Sequence, residues 1–119
     1  MIAIFWSFRP QMGREMEFES LYGPEGAWVE LFRTAGGYLG SHLFKDEGDP
    51  GRYLTVDCWA SRQAYDDFRR TRLPEYEALD RRCESLTEKE ESLGVFTEIP
   101  PGGSTVRSST AFLPPRTGG

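Results

Sequence analysis

Trp59 and Tyr65 are side chains whose types can make contact with a small molecule. Trp59 ends an alternating run, Tyr53 to Ala60, and Ser61 then offers a helix N-cap, so Tyr65 falls in the first turns of a helix. From those positions the two side chains can point at one space from two directions. A tryptophan face stacks on a flat aromatic molecule. A tyrosine hydroxyl holds a carbonyl or phenolate oxygen, or passes a proton. Each also has a plainer reading. Trp59 can plug the strand-to-helix corner, and Tyr65 can sit at the edge of the core. Thr55 shares a strand face with Trp59 and can donate its hydroxyl to the same substrate oxygen, or be an ordinary β-branched strand residue. Phe68 can help position the ring.

Other titratable groups compete for a role. His42 is the only histidine, on a strand face with Tyr38 and Phe44; a sheet-face or interface histidine is the plainer reading than a general base. Asp57 lies on the Trp59 face, and a buried carboxyl there would have a raised pKa and could act as a base. Surface placement or an ion pair with an arginine is the plainer expectation. Cys58 and Cys83 have no partner at metal-ligand spacing and no nearby histidine, so they read as plain thiols and no metal site is expected. Gly36, Gly37 and Gly40 lack the lysine of a phosphate loop and the spacing of a dinucleotide motif, which leaves turn chemistry to explain them.

These residues must be carried by a definite order of elements. Ile2 to Arg9 reads as a strand apolar on both faces, closed by Pro10. A helix over Gly13–Tyr22 is interrupted by the GPEG segment and resumes over Ala27–Thr34, ending at Gly36-Gly37. Tyr38 to Asp46 and Tyr53 to Ala60 read as strands joined by the turn-rich Lys45–Arg52. A long helix is expected from Arg62 to about Leu86, kinked or restarted at Pro74, and a last strand over Glu91–Ile99. Residues 100–119 are rich in Gly, Ser, Thr and Pro and read as a flexible or partner-wrapping tail, leaving one domain over residues 1–99. The β-α-β-β-α-β order predicts a ferredoxin-like α+β domain. Four antiparallel strands with both helices on one side leave the other sheet face open. The two-sided apolar first strand implies that this face is covered too, and a second copy of the chain is the simplest cover.

Composition narrows the partners. The chain has 119 residues, a formal charge of −5 and a sequence pI of about 4.9. That acidity argues against a nucleic-acid binder, which needs a basic stripe, and against docking on anionic lipid. No apolar run approaches a membrane span of ~20 residues. The start, MIAIFWSFRP, has neither a charged n-region nor a cleavage site, so no signal peptide is expected and the protein reads as cytoplasmic.

The segments Phe18 to Phe32 with YGPEGAW, then GYLG from Gly37, DPGRY from Asp49 and WASRQAY from Trp59 resemble the antibiotic biosynthesis monooxygenase family of small dimeric α+β barrels. The resemblance spans roughly Ile2 to Ile99. It implies a homodimer with a pocket between sheet and helices. Some relatives oxidise polycyclic phenols or quinols with molecular oxygen and no added cofactor, and others degrade haem. Trp59 matches the strand-ending Trp of the enzymes, and Tyr65 the Tyr that follows it in quinone-forming members. Thr55 stands where those enzymes often carry Asn. Strand one of the haem-degrading branch carries an Asn near Phe8, and this chain has no Asn; Arg81 and Arg82 lie where one class of relatives places a substrate-contacting Arg. The haem branch's helical His would fall near Leu79 or Asp80, neither of which ligates haem iron in that way, so haem degradation is disfavoured. The resemblance thus implies oxidation of a small aromatic or quinol-type molecule with O2, with Trp59 and Tyr65 as catalytic residues, Thr55, Phe68, Phe8 and Arg82 binding substrate, and no cofactor. The alternatives are a non-catalytic small-molecule-binding or structural dimer, and a polyketide cyclase-like enzyme on the same barrel.

Overall fold

The computed structural model describes residues 1–101. The elements run β1 (Ile2–Pro10), α1 (Glu15–Tyr22), α2 (Ala27–Phe32), β2 (Tyr38–Lys45), β3 (Tyr53–Trp59), α3 (Arg62–Thr71), α4 (Leu73–Cys83), a short 3-10 turn (Glu84–Leu86) and β4 (Thr87–Thr97). The four strands form one antiparallel sheet in the order β2-β3-β1-β4. This is the expected ferredoxin-like α+β arrangement. The tail expected over residues 100–119 lies, from residue 102 onward, outside the described residues.

Local chemistry accounts for most boundaries. The Ser61 side chain accepts a hydrogen bond from the Ala64 backbone N–H at 3.0 Å and starts α3. The long second helix breaks at Arg72, whose backbone leaves the helical region (φ −116°, ψ 26°). Pro74 then occupies the first turn of α4, where its missing N–H costs nothing. The last strand begins at Thr87 rather than Glu91, because its polar first half pairs with Phe8, Arg9 and Pro10 of β1. β4 is therefore long and mostly exposed.

The core lies between sheet and helices. Ile2, Ile4, Trp28, Phe32, Trp59, Phe68, Leu79 and Cys83 form one buried cluster, and Phe8, Phe18, Tyr53 and Leu86 a second. The partly buried Trp6, Leu21 and Tyr22 touch both. The opposite sheet face carries Phe5 and Val56, which are register partners, together with Leu54, Phe44 and Phe96. Phe44 and Phe96 are about half exposed.

Candidate functional site

Strand register decides what can reach the helix layer. On that face β1 and β3 present the pairs Ile2–Trp59, Ile4–Asp57, Trp6–Thr55 and Phe8–Tyr53. The two ends of this ladder have different fates. At the first, Trp59 is fully buried, with the rings of Phe32, Tyr38, Tyr65 and Phe68 all centred within 5.6 Å of it. In the middle, the packing opens into a cleft of about 310 Å³. That is near the low end of the usual range of ~300–1,000 Å³ for small-molecule sites.

The floor of the cleft is Trp6, Phe8, Thr55 and Asp57 from the sheet, with Glu90 of β4 at its edge. Its roof is Tyr22 of α1, Trp28 of α2, Arg69 of α3, and Tyr76 and Asp80 of α4. The Arg69 guanidinium lies 4.5 Å from the Tyr76 ring centre and closes one side. The walls are therefore aromatic, with a few polar groups among them.

Asp57 is an acid in this lining whose titration the fold shifts. Burial pushes its carboxyl up from 3.8 to about 6, and a hydrogen bond from Ser41 partly opposes the rise. Ser41 Oγ donates to Asp57 Oδ1 at 2.6 Å, and Ser41 Oγ lies 2.7 Å from the Tyr38 hydroxyl. Among the described residues no arginine forms the ion pair with Asp57 that the sequence suggested. Thr55 is buried two residues away on the same face. Tyr22 and Tyr76 have hydroxyls pushed well above the usual tyrosine range, chiefly by burial, which favours the neutral form. Burial raises both Cys58 and Cys83, which favours the protonated thiol.

The cleft brings together Phe8, Thr55 and Asp57 from the sequence-derived candidates, but not the rest. Trp59 and Tyr65 do not share a cavity. Their rings pack edge-on with centres 5.4 Å apart, because α2 and α3 close over this end of the sheet. Phe68 is buried beneath them. Arg81 and Arg82 are exposed on α4, outside the cleft lining. His42 is on the open sheet face beside Phe44, ring centres 5.9 Å apart, away from the cleft. Among the described residues no group of three or more His, Cys, Asp or Glu gathers as a metal site.

Sequence reasoning missed Ser41, Tyr22, Trp28, Arg69 and Tyr76 as site residues. Trp28 and Tyr76 sit at helical spacing among apolar neighbours and read as ordinary core. Their placement at a cleft depends on how α2 and α4 cross, which no local pattern encodes. Among the described residues the buried indole N–H groups of Trp28 and Trp59 have no acceptor.

Among the described residues no helix is long and apolar enough to cross a membrane. No curated protein matches the chain in sequence. Solved structures resemble its fold at low identity. A Deinococcus radiodurans protein superposes with a TM-score of 0.69 at 14% identity, over 85% of this chain and 95% of that one. Rv0793 of Mycobacterium tuberculosis gives 0.66 at 18%, over 85% and 97%. SnoaB of Streptomyces nogalater, a cofactor-independent oxygenase, gives 0.63 at 19%, over 87% and 97%. The family model for antibiotic biosynthesis monooxygenases matches residues 1–82, which include every strand and helix that builds the cleft except β4 and the end of α4, and the chain belongs to that family.

Proposed function

We propose that the chain is a cytoplasmic, cofactor-independent monooxygenase-like enzyme that oxidises a small aromatic or quinol-type compound with O2. One observation carries this reading. A partly buried carboxyl that titrates near 6 faces an aromatic-walled cleft, next to a buried threonine hydroxyl. A base poised near the working pH and held beside an aromatic ring is what removal of a phenolic proton requires.

In this reading Trp6, Phe8, Trp28 and Tyr76 hold a flat ring, and Thr55 hydrogen-bonds its oxygen. Asp57 takes the phenolic proton. The electron-rich anion then gives one electron to O2, and the resulting radical and superoxide combine into a C–O bond. The peroxide takes a proton and loses water as the ring C–H leaves. Overall, a phenol with a free para C–H plus O2 gives a p-quinone plus water. Trp59, Tyr65 and Phe68 support the cleft from behind by fixing the end of β3 and the start of α3. The active unit in this reading is a homodimer joined through the open sheet face with Phe5, Phe44, Val56 and Phe96.

The test is oxygen uptake with a small panel of naphthols and anthracenols, with quinone formation followed by absorbance. Uptake that is lost in Asp57→Asn supports the reading. Binding of the same compounds without uptake points instead to a small-molecule-binding dimer, a reading favoured by the solid packing around Trp59 and by Thr55 standing where relatives often carry Asn. Conversion of a substrate without oxygen uptake points to cyclase-like chemistry.

A further inference from the structure

A regular strand sends residues three apart to opposite faces. Tyr38 and Ser41 break that rule. In the β2–β3 pairing, Tyr38 sits opposite Trp59, Gly40 opposite Cys58 and Ser41 opposite Asp57. One extra residue on β2 is absorbed between Tyr38 and Gly40, so both Tyr38 and Ser41 come to the helix side. Gly40 makes the bulge possible, with φ +135°, a conformation that side-chain-bearing residues rarely adopt.

The consequence is a directed chain of hydrogen bonds. An ionised Asp57 can only accept, so the single Ser41 proton goes to Oδ1 at 2.6 Å. Ser41 Oγ then accepts from the Tyr38 hydroxyl at 2.7 Å. The Tyr38 ring is itself fixed between Phe32 and Trp59, ring centres 5.4 and 5.3 Å away. Tyr38 and Ser41 line a separate recess of about 370 Å³ beside Arg33 and Pro24, whereas Asp57 lines the cleft. The chain therefore joins the two hollows.

We propose that Tyr38 and Ser41 are positioning residues that act through Asp57, the Gly40 bulge holding their hydroxyls in line so that the carboxylate stays aimed at a hydroxyl bound in the cleft. Ser41 is the only side-chain donor to Asp57 among the described residues. The other charged or titratable groups facing the cleft are Arg69 of α3, Asp80 and Tyr76 of α4, Tyr22 of α1 and Glu90 of β4. Arg33 and Cys58 lie near Tyr38. This proposal rests on Asp57 being the base, yet its test needs no substrate.

The experiment is an NMR titration of the Asp57 side-chain carbon in the full chain. Ser41→Ala removes the donor that favours the ion, so the midpoint should rise by roughly half a pH unit or more. Tyr38→Phe should move it the same way by less, and Ser41→Thr should restore the wild-type midpoint. Gly40→Val, which cannot hold the bulge, should match Ser41→Ala; if it fails to fold, the Ser41 and Tyr38 variants decide. An unchanged midpoint in Ser41→Ala, or a shift that Ser41→Thr fails to restore, overturns the proposal. Because oxygen uptake is not measured, that failure is distinct from failure of the monooxygenase reading.

Discussion

Replacing Asp57 by asparagine should stabilise the protein at neutral pH and flatten its pH dependence. The carboxyl is held at about 6 in the fold against 3.8 in the open chain, which disfavours its ion by roughly 3 kcal/mol. The sign follows from proton binding. The fold holds this proton more tightly than the unfolded chain does, so the associated stability is present below pH ~4 and is lost as pH rises through ~6. Asparagine keeps a carbonyl for the Ser41 donor and carries no charge to desolvate. Between about pH 4 and pH 7.5 the stability of the variant relative to wild type should therefore grow by roughly 2 kcal/mol. Urea denaturation of both proteins at several pH values and one fixed concentration measures this. Other carboxylates titrate in both chains and cancel in the difference. A difference that stays flat with pH would mean that Asp57 is ionised without cost in the fold, and the argument for a poised base would fail. The same substitution should lower oxygen-dependent turnover by ~10²-fold or more and remove the acid limb of its pH profile.

Three further outcomes follow from packing. Trp59→Ala should cost ~3–5 kcal/mol of stability by denaturant titration, whereas Trp59→Phe should cost clearly less because it also removes a buried indole N–H that has no acceptor among the described residues. Gly37→Ala should lower the melting temperature by several degrees, since Gly37 has φ +95° and a Cβ there would lie 2.7 Å from that of Ala64. Phe96→Glu, on the open sheet face and 53% exposed, should halve the mass read by light scattering without unfolding the chain; a wild type that is already monomeric would remove the dimer from the proposed mechanism.

The sequence carried the fold through local signals that happen to be strong here. The two-sided apolar β1, the Ser61 cap, the Gly36-Gly37 stop and the turn-rich Lys45–Arg52 segment each act within a few residues. The start of β4 was hidden because Thr87–Glu91 is charged and helix-tolerant, and only pairing with Phe8 and Arg9 makes it a strand. The site was legible in part. Thr55 and Asp57 were placed on the correct face by alternation, and Phe8 by its place on β1. What alternation cannot show is how far along that face the helices close. Trp59 and Tyr65 lie at the sealed end, and the cleft opens two residues earlier, at Asp57. Ser41 was invisible because its orientation depends on a bulge, and a strand glycine looks the same with or without one.

The three tryptophans are divided between two optical environments. Trp6 and Trp28 line the cleft, and Trp59 lies sealed behind Phe32, Tyr38, Tyr65 and Phe68. A guest in the cleft that quenches by contact should reach the first two, while emission from Trp59, which it does not touch, survives. Saturating quenching should therefore leave a residual, blue-shifted signal, and Trp59→Phe should abolish that residue. The chain thus contains its own gauge of cleft occupancy, readable by fluorescence before any turnover is known.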